Sequence, residues 1–225
     1  MADINLTMTA VSAMAVTLST FRSRLRQELH DEDPSDYRWT DATLDRHLAR
    51  AAREVSLVLP LEQKTSLTTS AGSRDVSISS LADLVRVDAV EYPVGSWPPC
   101  YVQFSVYQTT LTLLVEAAPT ASQALNVYWA KLHTLDAASS TFPSVAEDVV
   151  VLGAGGYAAL EWASFATNRA NVSGASAFDN YQAWGEERLV RFREALGSFG
   201  RESRVRGASL YRPGRPASQN TVSWG

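Results

Sequence analysis

A chain of 225 residues can fold as one generous domain or two small ones and can bury a core without disulfides or metals. Apolar residues at 45% and charged residues at 20% exclude a disordered or fibrous chain, while the lone Cys100 excludes an internal disulfide and no Cys/His cluster has zinc spacing. The net charge of −4 is unevenly placed: residues 201–225 hold five arginines against one glutamate, so the residues before them carry −8.

Residues 1–16 are small and polar with scattered apolar side chains, and read as a flexible arm. They lack the basic flank and apolar centre of a signal peptide. No apolar run approaches the roughly 20 residues that span a bilayer, so the chain reads as soluble and made in the cytoplasm. From Thr17, Leu18, Phe21, Leu25 and Leu29 recur at helical spacing until an acidic loop at Asp33 and Pro34 ends the helix. Thr40 and Asp41 then open a second helix, with the stripe Leu44, Leu48, Ala51, Val55 and Val58, stopped by Pro60. Trp39, just before the cap, is placed to cover the start of that helix.

Between Leu61 and His133 the period changes to two. Val102, Phe104 and Val106 form one alternating run, Leu111, Leu113 and Val115 a second, and Leu125, Val127 and Trp129 a third. Turns at Ala71-Gly72-Ser73, Gly95-Ser96-Trp97-Pro98-Pro99 and Pro119-Thr120-Ala121-Ser122 separate the runs, and Ser80 to Asp83 suit one short helical turn. After Pro143, Ser144 and Glu147 have capping-box spacing and predict a third helix from about Val145 to Thr167. Ser176 and Asp179 repeat that spacing before a fourth, with Phe178, Tyr181, Leu189, Phe192 and Leu196, closed by Gly197 and Gly200. The expected fold is mainly α with a β insertion, an α+β arrangement. Residues 17–60 and 144–200 form a four-helix bundle-like domain, interrupted by an antiparallel β subdomain at 61–133 that projects from one end, and residues 201–225 form an extended tail.

Val149 to Ala158 reads VVVLGAGGYA and imitates the glycine turn of a dinucleotide-binding unit, which would make the protein an oxidoreductase. The helix start at Ser144 puts these glycines inside a helix, no strand ending in Asp or Glu follows, and too little chain remains for further βαβ units. The simpler reading is a small-residue face, Gly153, Gly156, Ala159 and Ala163, on which another backbone packs. His30, His47 and His133 form no ligand-spaced pair. Asp31, Glu32, Asp33 and Asp36 lack calcium-loop spacing and read as a solvated loop. No nucleophile stands with a base, so no catalytic, cofactor-binding or metal-binding residue is nominated.

The basic tail contains Pro213, Pro216, Gly207 and Gly214, which argue against a continuous helix, yet it carries Leu210, Tyr211, Val222 and Trp224. Arginines mixed with aromatic anchors suit docking on a protein partner, with ordering on binding. Nucleic-acid binding through the same charges is the rival reading, and the acidic body favours a protein.

Tyr37-Arg38-Trp39-Thr40-Asp41 leads into Leu44, Leu48, Ala51-Ala52-Arg53-Glu54-Val55 and Leu59-Pro60. Later come Trp129 to His133 and Ser140-Thr141-Phe142-Pro143 before an Ala-rich helix. In order and spacing, over much of residues 18–200, this resembles the head-to-tail adaptor (connector, head-completion) proteins of tailed bacteriophages. The resemblance implies a virion structural protein of the head–tail neck, assembled in the host cytoplasm, with no enzymatic activity and no cofactor. It implies a twelve-subunit ring that binds the portal protein and a downstream neck or tail protein, and encloses DNA without reading its sequence. The C-terminal grip of the family maps onto about Arg201 to Gly225, where composition nominates Arg201, Arg204, Arg206, Leu210, Tyr211, Arg212, Arg215 and Trp224 as the docking residues. Another neck or tail-completion (stopper) protein is the alternative, and an oxidoreductase a distant third.

Overall fold

Four helices and seven strands follow the expected order of two helices, a β region and two helices in the computed structural model. It describes residues 16–167 and 177–210, with backbone alone at 166–167, 177–178 and 201–210.

Helix α1 (Leu18–Leu29) buries Phe21, Leu25 and Leu29, as its spacing predicts. Helix α2 (Asp41–Val58) starts at Thr40, whose Oγ1 accepts a hydrogen bond from the Thr43 amide at 3.2 Å, and buries Leu44, Leu48, Ala51 and Val55. Helix α3 (Ser144–Thr167) begins one residue before the expected Val145 and ends at the expected Thr167. Its Glu147 carboxylate pairs across the bundle with Arg24 Nη1 at 2.8 Å.

Helix α4 (Ala177–Leu210) corrects two expectations. It passes through Gly197 and Gly200 without stopping, and residues 201–210 are helical and not extended. Glycine costs a helix about 1 kcal/mol without breaking it. The intervening Arg, Glu, Ala and Leu favour helix, and no proline occurs before Pro213. Ser176, the expected cap of α4, and the loop expected at Asn168 to Ala175 lie outside the described residues, as does the arm over residues 1–15.

The glycines of α3 are packing sites. A Cβ added at Gly153 would stand 2.8 Å from the Phe192 ring, and one at Gly156 would stand 2.8 Å from Leu189 and 3.2 Å from the Gly185 carbonyl. Gly185 of α4 reciprocates, its added Cβ lying 3.1 Å from the Gly156 carbonyl. The two backbones therefore meet without side chains between them. The helical core gathers around Phe21, Leu25, Leu44, Leu48, Val150 and Phe192, all fully buried.

Strands β1 (Leu61–Thr68), β7 (Ala124–Lys131), β3 (Leu84–Glu91) and β4 (Tyr101–Val102) form one antiparallel sheet in that order. Strands β2 (Asp75–Ser77), β6 (Thr110–Leu113) and β5 (Phe104–Tyr107) form a second. They share a separate core of Val76, Val90, Leu111, Leu113, Leu125 and Val127. The expected runs are β4 with β5, β6, and β7; the first is broken at Gln103, and Val115 falls beyond β6. Ser80 to Asp83 makes turns and no helix, with Asp83 at φ 57°.

His133 ties sheet to bundle. Its amide donates to Ser56 Oγ at 3.1 Å, its Nε2 lies 3.0 Å from the Leu59 carbonyl, and its ring stacks on Phe142 with centroids 4.5 Å apart. Burial pushes its pKa down, so the neutral ring with Nε2–H donating to that carbonyl is the form the fold selects. Nearby, the Leu18 amide donates to the Asp136 carbonyl at 2.9 Å, placing the start of α1 at the same junction.

Candidate docking surfaces

Helix α4 is the longest element, 34 residues or about 51 Å at 1.5 Å per residue. Its first turns pack beside α1 and α3. At Gly200 an added Cβ would lie 3.4 Å from Val58, the last residue of α2, and the helix runs on for ten residues beyond that point. Of the expected docking residues, Arg201, Arg204, Arg206 and Leu210 fall on this helical extension. Tyr211, Arg212, Arg215 and Trp224 lie outside the described residues.

The turn from α1 to α2 is fixed by a buried ion pair. Arg26 Nη1 donates to Asp31 Oδ2 at 2.6 Å, and its Nη2 donates to the Trp39 carbonyl at 3.0 Å and to Asp41 Oδ1 at 2.7 Å. Asp31 also accepts from the amides of Arg38 at 2.7 Å and Trp39 at 3.3 Å, and the Tyr37 ring covers the guanidinium at 3.5 Å. Asp31 is thus a buried structural carboxylate and not part of a solvated loop; Glu32, Asp33 and Asp36 are exposed as expected. The hydrogen bond from Arg26 holds the Asp41 carboxyl below its usual pKa. Trp39, 3% exposed, packs against Trp162 and Tyr181 with ring centroids 5.6 and 6.4 Å away, so it fastens the α1–α2 turn to α3 and α4.

Two grooves flank the bundle. One, of about 1120 Å³, runs between α1, α3 and α4 over Leu29, Leu152 and Trp184, rimmed by Arg24, Arg38 and Arg188. The other, of about 600 Å³, lies between α2, α3 and α4 and holds Arg46, His47, Arg50, Tyr157, Glu161 and Arg193. His47 Nε2 stands 2.8 Å from Glu161 Oε2, within ion-pair reach but out of line for a hydrogen bond. Burial outweighs that carboxylate and pushes the His47 pKa down. Burial, reinforced by donation to the Glu54 carboxylate at 2.6 Å, pushes the Tyr157 phenol up to about 12. Among the described residues no three His, Cys, Asp or Glu side chains converge as a metal site, and no helix is long and apolar enough to cross a membrane.

At the end of the sheets away from the bundle, the loop from Tyr92 to Cys100 presents Trp97, 92% exposed. The Tyr92 amide donates to the Cys100 carbonyl at 2.9 Å and closes the loop's base. In the sequence this stretch gave only a turn signal, although a tryptophan between Gly95 and Pro98-Pro99 has no core to join.

The model of the SU10 adaptor protein family matches residues 16–216, which takes in both helical segments, both sheets and the basic extension of α4. The chain belongs to the SU10 adaptor family. The chain is also similar to chains in solved structures, three of which follow. The neck of a native GTA particle computed with C12 symmetry gives 16% identity and a TM-score of 0.29, covering 78% of this chain and 91% of that one. The neck of an empty GTA particle computed with C6 symmetry gives 15% and 0.28, covering 78% and 92%. The virion of a native gene transfer agent particle gives 16% and 0.28, covering 78% and 93%. No curated protein matches the chain; the assignment rests on the family match.

Proposed function

We propose that the adaptor is a non-enzymatic neck component that binds a portal protein at the capsid vertex, forms a ring of twelve copies around the DNA channel, and carries a downstream neck or tail protein. The observation that carries this reading is the family match over residues 16–216, which includes the helical residues 201–210 at the end of α4. That extension and the residues after it concentrate five arginines with Leu210, Tyr211 and Trp224, on a chain whose other residues sum to −8. Arginine pairs bidentately with carboxylates, and aromatic anchors fill partner pockets. A ring multiplies such contacts, because once one tail is seated the others act at high effective concentration. An acidic body suits a wall along which DNA must slide, since each phosphate gripped would add affinity and friction.

Two truncations separate the parts of the grip. A chain ending at Leu210 keeps the helical Arg201, Arg204 and Arg206 and loses Tyr211, Arg212, Arg215 and Trp224; a chain ending at Gly200 loses all of them. Co-sedimentation with the cognate portal should weaken in the first and vanish in the second. Undiminished binding by the Gly200 truncation would move the interface to the grooves or the sheets.

A further inference from the structure

The groove between α2, α3 and α4 is basic, on a chain whose residues 1–200 sum to −8. Arg46, Arg50 and Arg193 line it against one carboxylate, Glu161, which Arg46 already engages with bonds of 2.6 and 2.7 Å. Arg53, three residues after Arg50 and so on the same side of α2, extends this face. Arg53 and Arg193 are both exposed, and among the described residues neither pairs with a carboxylate. Guanidinium groups in this state suit carboxylates brought by a partner.

The same chain carries the complement. The loop between α1 and α2 exposes Glu32, Asp33 and Asp36, none of which meets an arginine or lysine among the described residues. The loop is shaped before any partner arrives, because Asp31 is held by Arg26 and by the amides of Arg38 and Trp39. Docking it therefore costs little ordering entropy. The two patches do not meet within one copy. The Arg26–Asp41 bond clamps the loop to the start of α2, and Arg53 lies 13 residues, about 20 Å, along that helix from Thr40. Arg193 lies 12 residues, about 18 Å, along α4 from Tyr181, whose ring packs on Trp39 at the loop's base.

Two different patches that fit each other across copies make a head-to-tail contact, and such a contact repeats around a closed ring. We infer that the α2–α4 face of one copy, through Arg50, Arg53 and Arg193, docks the Glu32–Asp36 loop of the next. The contact rests on the ring reading of the proposed function and joins the neighbours in that ring.

The test uses the full chain and its cognate portal, with native mass spectrometry counting the copies on each portal. Neighbour contacts make occupancy cooperative, so below saturation wild type should give filled and empty portals with few between. Arg53→Glu with Arg193→Glu reverses the face, and Glu32→Arg with Asp36→Arg reverses the loop. All four side chains are exposed and hold no ion pair among the described residues, so Tm should stay within about 2 °C of wild type. Each pair should weaken neighbour coupling about tenfold or more and scatter the copies at random over the portals, and the four changes together should restore filled rings. Unchanged coupling in either pair, or no recovery in the combined variant, overturns the contact and leaves the ring reading standing. A wild type that fills the ring without cooperativity does the same, whereas one that never fills a ring overturns both. Loss of retention on a DNA duplex in the face variant, with coupling intact, assigns the face to phosphate and overturns the contact.

Discussion

Replacing the glycines of α3 one at a time tests the helix–helix contact at the centre of the bundle. At Gly155 an added methyl would find its nearest neighbours, Leu25 and Trp184, at 3.7 Å, an ordinary contact. Gly155→Ala should therefore show the helix-propensity gain of up to about 1 kcal/mol. At Gly153 the methyl would stand 2.8–2.9 Å from three ring carbons of Phe192, which is fully buried and has nowhere to swing. At Gly156 it would meet Leu189 at 2.8 Å and the Gly185 backbone at 3.2 Å. Carbon atoms prefer about 3.5–4.0 Å, so one helix must move outward, and overpacking of this kind costs roughly 1–3 kcal/mol. Against the same propensity gain, Gly153→Ala and Gly156→Ala should lose up to about 2 kcal/mol net. In a domain of this size each kcal/mol shifts Tm by about 2–4 °C. Thermal unfolding should then rank Gly155→Ala above wild type and both other variants below it. If all three behave alike, the backbones do not meet as described.

Trp39→Ala should cost about 3–5 kcal/mol, because the indole fills the space between Trp162, Tyr181 and the α1–α2 turn; chemical denaturation measures it. Asp31→Ala removes the buried carboxylate that Arg26 Nη1 and two backbone amides bond to and should cost about 3 kcal/mol, whereas Asp33→Ala, on the exposed side of the same loop, should cost under about 1 kcal/mol. His47 and His133 both have pKa values lowered from 6.5 by burial, so the unfolded chain takes up their protons before the fold does. Their contribution is complete above about pH 6.5 and is lost as pH falls toward the folded values. Tm should drop as pH falls below about 6.5, and His133→Gln should flatten that drop.

The helices were legible because each buries one stripe: Phe21, Leu25 and Leu29 in α1, and Leu44, Leu48, Ala51 and Val55 in α2. The nature of the glycine run in α3 followed from the helix start at Ser144, together with the absence of a following acidic-ended strand and of room for further βαβ units. Strands β1 and β3 were harder to see. β1 has five of its eight residues exposed, and β3 carries register shifts after Leu84 and Val87 that scramble its alternation. The continuation of α4 was hidden because Gly197, Gly200 and Gly207 look like stops when each is weighed locally. Asp31 was read with its acidic neighbours because only the fold brings Arg26 and two backbone amides to it. The docking residues were chosen by composition, and that signal does not tell a helical extension from an extended tail.

Cryo-electron microscopy of the full chain mixed with its cognate portal tests the central claim most directly. The account predicts a twelve-membered ring seated on the portal, with density for the α4 extension and the residues after it on the portal surface, and loss of that ring when the chain ends at Gly200. A portal that stays bare with the full chain, or carries the same ring with the truncated one, would contradict it.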